Sequence, residues 1–346
     1  MLVAFRADAS IHTGAGHVMR CLALAGALRE RGAECAFFCQ RQPGDLIDFI
    51  GERGFAAHAL HLQADAGRDA DARATLAALG AAAWDRLVVD HYGLDAAWER
   101  RLRSACGRLM ALDDMPDRAH DCDLLLDQNF RRARAQYAGL VPTRCEMLLG
   151  ANYALLRPEF AAAREWSLAR RSAWRLERVL VTMGGTDEEN ATGAVLEGLR
   201  DCPLPAHCRI TVVLGLHAPW KDAVERLAVC SPWPVEILCN VADMAALMAQ
   251  SDVCIGAAGS TSWERCCLGL PTALVSLAAN QDGIATALES HGAAVCLRLS
   301  ELDAGLRRFF SALAAGGAAQ LSSMSARAAE VADGLGAWRV ADRLCA

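Results

Sequence analysis

The chain has no excess of positive charge. Lys and Arg number 35 against 41 Asp and Glu, a formal net charge of −6. No global field therefore recruits nucleic acid or an acidic membrane surface, and any anion must be held by local devices such as helix N-termini. C-x-x-C pairs are also missing, although the chain carries 15 cysteines. That number is odd, and Cys35, Cys39, Cys208, Cys239, Cys254 and Cys296 lie in apolar runs. They read as small hydrophobes and reduced thiols, which excludes a disulfide frame. Cys202, His207 and Cys208 are metal-ligand types, but no second ligand pair follows them. No apolar run reaches the length of a membrane span. At the N-terminus Arg6 and Asp8 interrupt what an export signal would need. The expectation is a soluble, unexported, cytoplasmic protein with no stable membrane association and no nucleic-acid partner. Fine-grained repeats are absent too, and the alanine runs read as good helix formers.

What is present is bulk for two cores: 346 residues, 53% of them hydrophobic. Short apolar runs alternate with helical patterns. In the first half the strand candidates are 2–6, 35–39, 87–90, 109–112, 124–126 and 147–149. In the second half they are 179–182, 210–214, 235–238, 253–255, 273–276 and 294–297. Helical patterns such as 96–106, 191–199, 221–229, 244–249 and 284–289 separate them. Strands alternating with helices call for parallel sheets, and two such series call for two doubly wound, Rossmann-like α/β domains. The Arg-rich stretch "REWSLARRSAWRLER" contains no strand and precedes a fresh strand-turn-helix start. The expected organisation is therefore domain 1–163, linker 164–178 and domain 179–346, with helices in the tail after Asp303 that can pack back on the first domain.

Each half opens alike. In "SIHTGAGHVMRCLALAGAL", Gly14 and Gly16 sit between a strand and an apolar helix, and His17 falls in the first helical turn. Glycine there marks a turn or a close approach to a ligand. A helix N-terminus favours anions and disfavours the imidazolium form of a nearby histidine. His12, across the same turn, reads as a surface histidine. In "MGGTDEEN" the same position holds Gly184, Gly185 and Thr186, while Asp187 and Asn190 read as helix caps. In open α/β sheets ligands bind beyond the carboxyl ends of strands, so two such domains facing each other would put a cleft between them. "GAAGSTSWERCCLGLP" places Ser260 and Thr261 at a helix start, where they serve as caps or as an anion site. Glu264 follows as a capping-box partner or a ribose acceptor. Asn280 and Gln281 begin the next helix. Asp90, His91 and Tyr92 lie just past a strand, with Tyr92 open to a buried structural reading or a ligand contact. Asp113 and Asp114 end another strand and are the one carboxylate pair that invites a metal.

The stretches "FRADASIHTGAGHVMRCLALA", "VVDHYGLD", "LLDQN", "LLGANYALLRPEF", "MGGTD" and "GAAGSTSWERCCLGLPTALVSLAANQ" resemble the UDP-sugar hydrolases of pseudaminic acid biosynthesis. Those enzymes remove UDP from UDP-2,4-diacetamido-2,4,6-trideoxy-β-L-altropyranose. The similarity runs from Leu2 to about Leu297, and the tail after Glu301 carries no matching motif. The family is similar in turn to the peptidoglycan N-acetylglucosaminyltransferase, which implies a GT-B architecture. The resemblance implies that His17 is the general base that activates water, with Gly14 and Gly16 letting sugar and water approach the backbone. Tyr92 and Asn280 would meet the sugar. Gly184, Gly185, Thr186, Ser260, Thr261, Glu264 and Gln281 would hold UDP. Neither a metal nor a cofactor is implied, which reads Asp113 and Asp114 as a loop near the sugar. The reaction would invert the anomeric centre, and the free sugar would pass to a sialic-acid-synthase-like enzyme that condenses it with phosphoenolpyruvate for surface glycans such as flagellin. A GT-B glycosyltransferase would use the same nucleotide site with an acceptor hydroxyl in place of water. A nucleotide-sugar binding protein without turnover is the third reading.

Overall fold

A computed structural model describes residues 1–63, 66–215 and 218–346. The chain divides into two compact units, one of residues 1–157 and 335–346, the other of residues 158–334.

Among the described residues the sheet of the first unit has seven parallel strands: β1 (Leu2–Ala7), β2 (Glu34–Gln40), β3 (Ala56–Leu60), β4 (Trp84–Asp90), β5 (Cys106–Leu112), β6 (Leu124–Asp127) and β7 (Glu146–Leu149). Their order is β3-β2-β1-β4-β5-β6-β7. Five of these were expected close to their observed bounds, as was β1, whereas β3 was not. Central strands such as β1 and β6 are nearly continuous buried runs, because helices cover both faces of a parallel sheet. One face packs Phe5, Phe37, Met110 and Val88 against the Gly16–Arg29 helix. The other packs Phe38, Leu87 and Leu109 against Trp98 and Leu102. The order reverses between β1 and β4, which pair in register with Ala7 opposite Asp90. That is a topological switch point, where the segments leaving two adjacent strands diverge and open a crevice.

The second unit repeats the plan with six parallel strands: β8 (Arg178–Thr182), β9 (Arg209–Leu214), β10 (Val235–Cys239), β11 (Val253–Ala257), β12 (Thr272–Val275) and β13 (Ala294–Leu297). Their order is β10-β9-β8-β11-β12-β13, so the switch point lies between β8 and β11. Val181, Val212, Ile255 and Ala273 face Val195, Leu306 and Phe310 in its core.

Residues 164–178, expected as a linker, fall inside this second unit. Residues 164–170 complete the Pro158–Arg170 helix. Its Arg164 faces backbone rather than solvent, donating to Ala329 O at 2.8 Å and Ala332 O at 2.9 Å. Of the tail helices, Leu302–Ala314 and Ala318–Val331 belong to the second unit. Gly336–Cys345 belongs to the first, where Val340, Ala341 and Leu344 are fully buried in its core.

Candidate functional site

In the first unit the chain leaves β1 through an ST-type turn. Ser10 Oγ accepts from the backbone N–H groups of His12 and Thr13, at 3.1 and 3.0 Å. Gly14 then takes a positive φ of 72°, which favours glycine, and the helix starts at Gly16. His17 thereby stands in the first turn, over the end of β4.

There it meets a buried carboxylate that sequence reasoning named only as a neighbour. His17 Nδ1 lies 2.6 Å from Asp90 Oδ1. An ionised carboxylate only accepts, so Nδ1 carries the proton, and the free lone pair is on Nε2. Nε2 makes no hydrogen bond among the described residues. Arg20, one turn along the same helix, donates to both oxygens of Asp90, at 2.6 Å from Nε and 2.6 Å from Nη2. Burial alone would raise the Asp90 pKa, but Arg20 and then His17 hold it well below the usual carboxylate range. Asp90 is therefore a fixed anion that orients the imidazole. Arg20 was missed. Its signal was a charged residue three positions after His17 within an otherwise apolar helix.

Around this pair stand the other first-unit candidates. The Tyr92 ring meets the imidazole edge to face at 4.8 Å and is 38% exposed, which sets aside the fully buried reading. Its hydroxyl donates to Asp114 Oδ2 at 3.3 Å, and burial followed by the Asp114 charge pushes its pKa up. Arg20 Nη1 reaches the same oxygen of Asp114 at 3.4 Å. Asp113 points elsewhere, receiving Arg118 at 2.8 Å and lying 3.1 Å from His120 Nε2. The two carboxylates thus belong to separate ion-pair networks. Among the described residues no group of three or more His, Cys, Asp or Glu side chains is placed to hold a metal. His12 is exposed, and His91 accepts at Nδ1 from Gly93 N at 2.9 Å.

In the second unit most of the candidates follow β8 and β11, the strands on either side of the switch point, whereas Asn280 and Gln281 follow β12. After β8, Gly184 has a φ of +92°, and neither it nor Gly185 has any atom within 4 Å of an added Cβ, so the turn is open above its backbone. Below, Gly215 at the end of β9 packs against it: a Cβ there would lie 2.0 Å from Gly185 O. Thr186 is half-buried, and Asp187 and Asn190 cap the Ala191–Leu199 helix, accepting from Ala191 N at 2.8 Å and Gly193 N at 3.2 Å. After β11, Ser260 is exposed and makes no side-chain capping bond at the start of the Thr261–Cys267 helix. With Ser260 as the cap, the third helical position is Trp263 rather than Glu264, so Glu264 does not stand where a capping-box partner would, and Thr261 and Glu264 are both half-buried. Beneath the turn lies Arg265, 1% exposed, donating to Ala257 O at 2.7 Å and Ser262 Oγ at 3.0 Å. A Cβ on Gly256 would stand 2.3 Å from its Nη1, so that glycine makes room for a buried cation. Sequence reasoning missed Arg265 as well. Gln281 turns its Oε1 back to Leu277 N at 3.0 Å, and the side chain of Asn280 lies outside the described residues.

The comparisons with known proteins agree with this plan. The model of the glycosyltransferase family 28 C-terminal domain matches residues 179–335. The chain is 26% identical over 293 residues to the UDP-2,4-diacetamido-2,4,6-trideoxy-beta-L-altropyranose hydrolase of Campylobacter jejuni, covering 84% of this chain and 97% of that protein. It is 31% identical over 153 residues to the spore coat polysaccharide biosynthesis protein SpsG of Bacillus subtilis, 44% of each chain. Among solved structures it superposes on Acinetobacter baumannii MurG with a TM-score of 0.73 at 16% identity, covering 99% of both chains. The UDP-GlcNAc 2-epimerase of Neisseria meningitidis gives 0.64 at 10% identity, covering 99% of both chains. The fold is GT-B: two parallel-sheet α/β units of the kind found in these proteins.

Proposed function

We propose that this chain is a UDP-sugar hydrolase acting on UDP-2,4-diacetamido-2,4,6-trideoxy-β-L-altropyranose. The observation that carries the reading is the His17–Asp90 pair, 2.6 Å apart, with Nε2 left unbonded at the β1/β4 switch point. Similarity to the Campylobacter hydrolase across 84% of the chain supports the substrate, and the family 28 match supports a nucleotide sugar held by the second unit.

In this mechanism water gives a proton to His17 Nε2 as its oxygen bonds to the anomeric carbon. The C–O bond to UDP breaks with inversion, and its electron pair leaves on the diphosphate. Asp90 keeps Nδ1 protonated and stabilises the imidazolium that forms, so His17 accepts the proton at one defined atom. UDP is a good leaving group and needs no acid. The turns at Gly184–Thr186 and Ser260–Thr261, with Arg265 beneath the latter, answer the charge on the diphosphate. Glu264 accepts from the ribose hydroxyls, and Tyr92 and Asn280 contact the sugar.

The test is incubation with the UDP-sugar, no acceptor and excess EDTA, following UDP by chromatography and the sugar by NMR. Equal release of UDP and free sugar is expected. UDP release only after an acceptor is added would make the chain a glycosyltransferase. Binding with no release under either condition would make it a nucleotide-sugar binding protein.

A further inference from the structure

At the amino ends of β8 and β11, the second unit carries a half-open cavity of about 490 Å³. The glycine turns discussed above follow the carboxyl ends of the same strands, so this is a separate place. Arg170, Arg171, Arg175 and Arg178 line the cavity against only Glu177 and Asp252, a local excess of two positive charges in a chain whose net charge is −6.

The arginines are not equivalent. Arg170 is committed to Asp252 at 2.6 Å. Arg171 is 4% exposed and has no carboxylate partner among the described residues. Its Nη atoms donate to the carbonyls of Ser167, Met248, Ala249 and Ser251, closing the carboxyl end of the Met244–Gln250 helix. Its fifth donor, Nε, has no acceptor, and neither has the indole N–H of Trp174 on the same wall. Buried donors without acceptors are uncommon and costly. Burial, and then the charge of Arg170, push the Arg171 pKa down to about 10 against the opposing pull of Asp252. At the rim, Arg175 is 71% exposed with Glu177 only at 3.7 Å, and Arg178 reaches the neutral Gln250 at 3.2 Å. Trp166 adds an indole that is 54% exposed. The cavity is rich in donors and poor in acceptors.

We propose that this cavity binds a small, multiply charged oxyanion of the phosphate or polycarboxylate type. Guanidinium forks match the oxygen geometry of both groups. Arg175 and Arg178 close on the anion from the rim, and Trp166 covers it.

The experiment is a titration of tryptophan fluorescence at constant ionic strength, with inorganic phosphate in one arm and citrate in the other. Wild type, Trp166→Phe, Trp174→Phe and the exposed pair Arg175→Gln/Arg178→Gln are compared. A saturable response to either anion is expected, lost in Trp166→Phe and weakened about tenfold or more in the double arginine variant. Trp174→Phe keeps the ring but removes a donor, so its affinity falls by less. The arm that responds identifies the oxyanion. No saturable response to either anion overturns the proposal, as does one that persists unchanged in the double arginine variant, which would place the anion elsewhere.

Discussion

In the first unit, the strand beyond the switch point ends in a buried carboxylate, Asp90, clasped by Arg20 and His17. In the second, the equivalent strand ends in Gly256 and Ala257, and the charge lies underneath, on Arg265. The strand orders are the same apart from one extra edge strand in the first unit. What differs is how each switch point is finished. Ionised side chains at the first fix which nitrogen of the His17 imidazole is left unbonded. Small residues at the second leave an open turn and make room for a buried arginine. One topology is thus finished in two chemically different ways by the few residues that end its central strands.

This contrast can be broken at four points. The largest effect is expected from His17→Asn, which keeps a polar side chain in the first helical turn but cannot take a proton at neutral pH. Single-turnover UDP release should fall about 10²- to 10⁴-fold while UDP affinity holds. A variant with near-normal turnover would remove proton transfer from the first unit.

Asp90→Asn comes next, since it leaves the imidazole but removes what fixes its tautomer. A loss of about 10- to 100-fold in turnover is expected. It also strips Arg20 of its nearer counter-charge, leaving only Asp114 at 3.4 Å, and breaking a buried pair costs about 3–5 kcal/mol, so a lowered unfolding midpoint in calorimetry should accompany it. Destabilisation with unchanged turnover would make the pair purely structural.

For Glu264→Ala the sign of the comparison reverses: binding should suffer rather than chemistry. Loss of a charge-assisted bond to ribose is worth roughly 1.5–3 kcal/mol of UDP affinity, read by titration calorimetry. Unchanged affinity in a folded variant would assign Glu264 to the helix alone.

The smallest expected effect concerns His120, buried in the first unit between Glu99 at 2.6 Å and Asp113 at 3.1 Å. Burial lowers its pKa, but Asp113 and Glu99 outweigh that and raise it to about 9. A raised value means the stabilisation is fully present below the unfolded value, about 6.5, and is lost as pH rises through about 9. The melting temperature should therefore decline across that window, and His120→Gln should flatten the decline. An unchanged slope in the variant would place the titrating group elsewhere.

Much of this molecule was legible because buried parallel strands are short apolar runs with little competing signal. The exception, β3, reads "AAHAL": an edge strand, only partly buried, built of residues with weak strand preference. The glycine turns and His17 were legible because a strand-to-helix turn leaves a local mark. The bonds of Asp90 to His17 and Arg20 were not, since they join positions 73 and 70 residues apart and depend on β4 pairing with β1. Arg265 was hidden for another reason. An arginine after a helix start looks solvated in sequence, and only the missing Cβ of Gly256 opens its place inside.

The return of Gly336–Cys345 to the first unit carries a consequence for the order of synthesis. That helix donates the Trp338 indole N–H to Glu30 at 2.7 Å and sets Leu344 O to receive Arg86 at 2.7 Å, besides filling the core beside β1. The ribosome makes residues 1–157 first, yet their unit stays open along one flank until residues 335–346 emerge. The unit encoded in the middle is continuous and is the first that can close. Closure of the unit that carries His17 therefore waits on residues made after the whole second unit, and a chain cut short after residue 334 has a finished second unit and an unsealed first one.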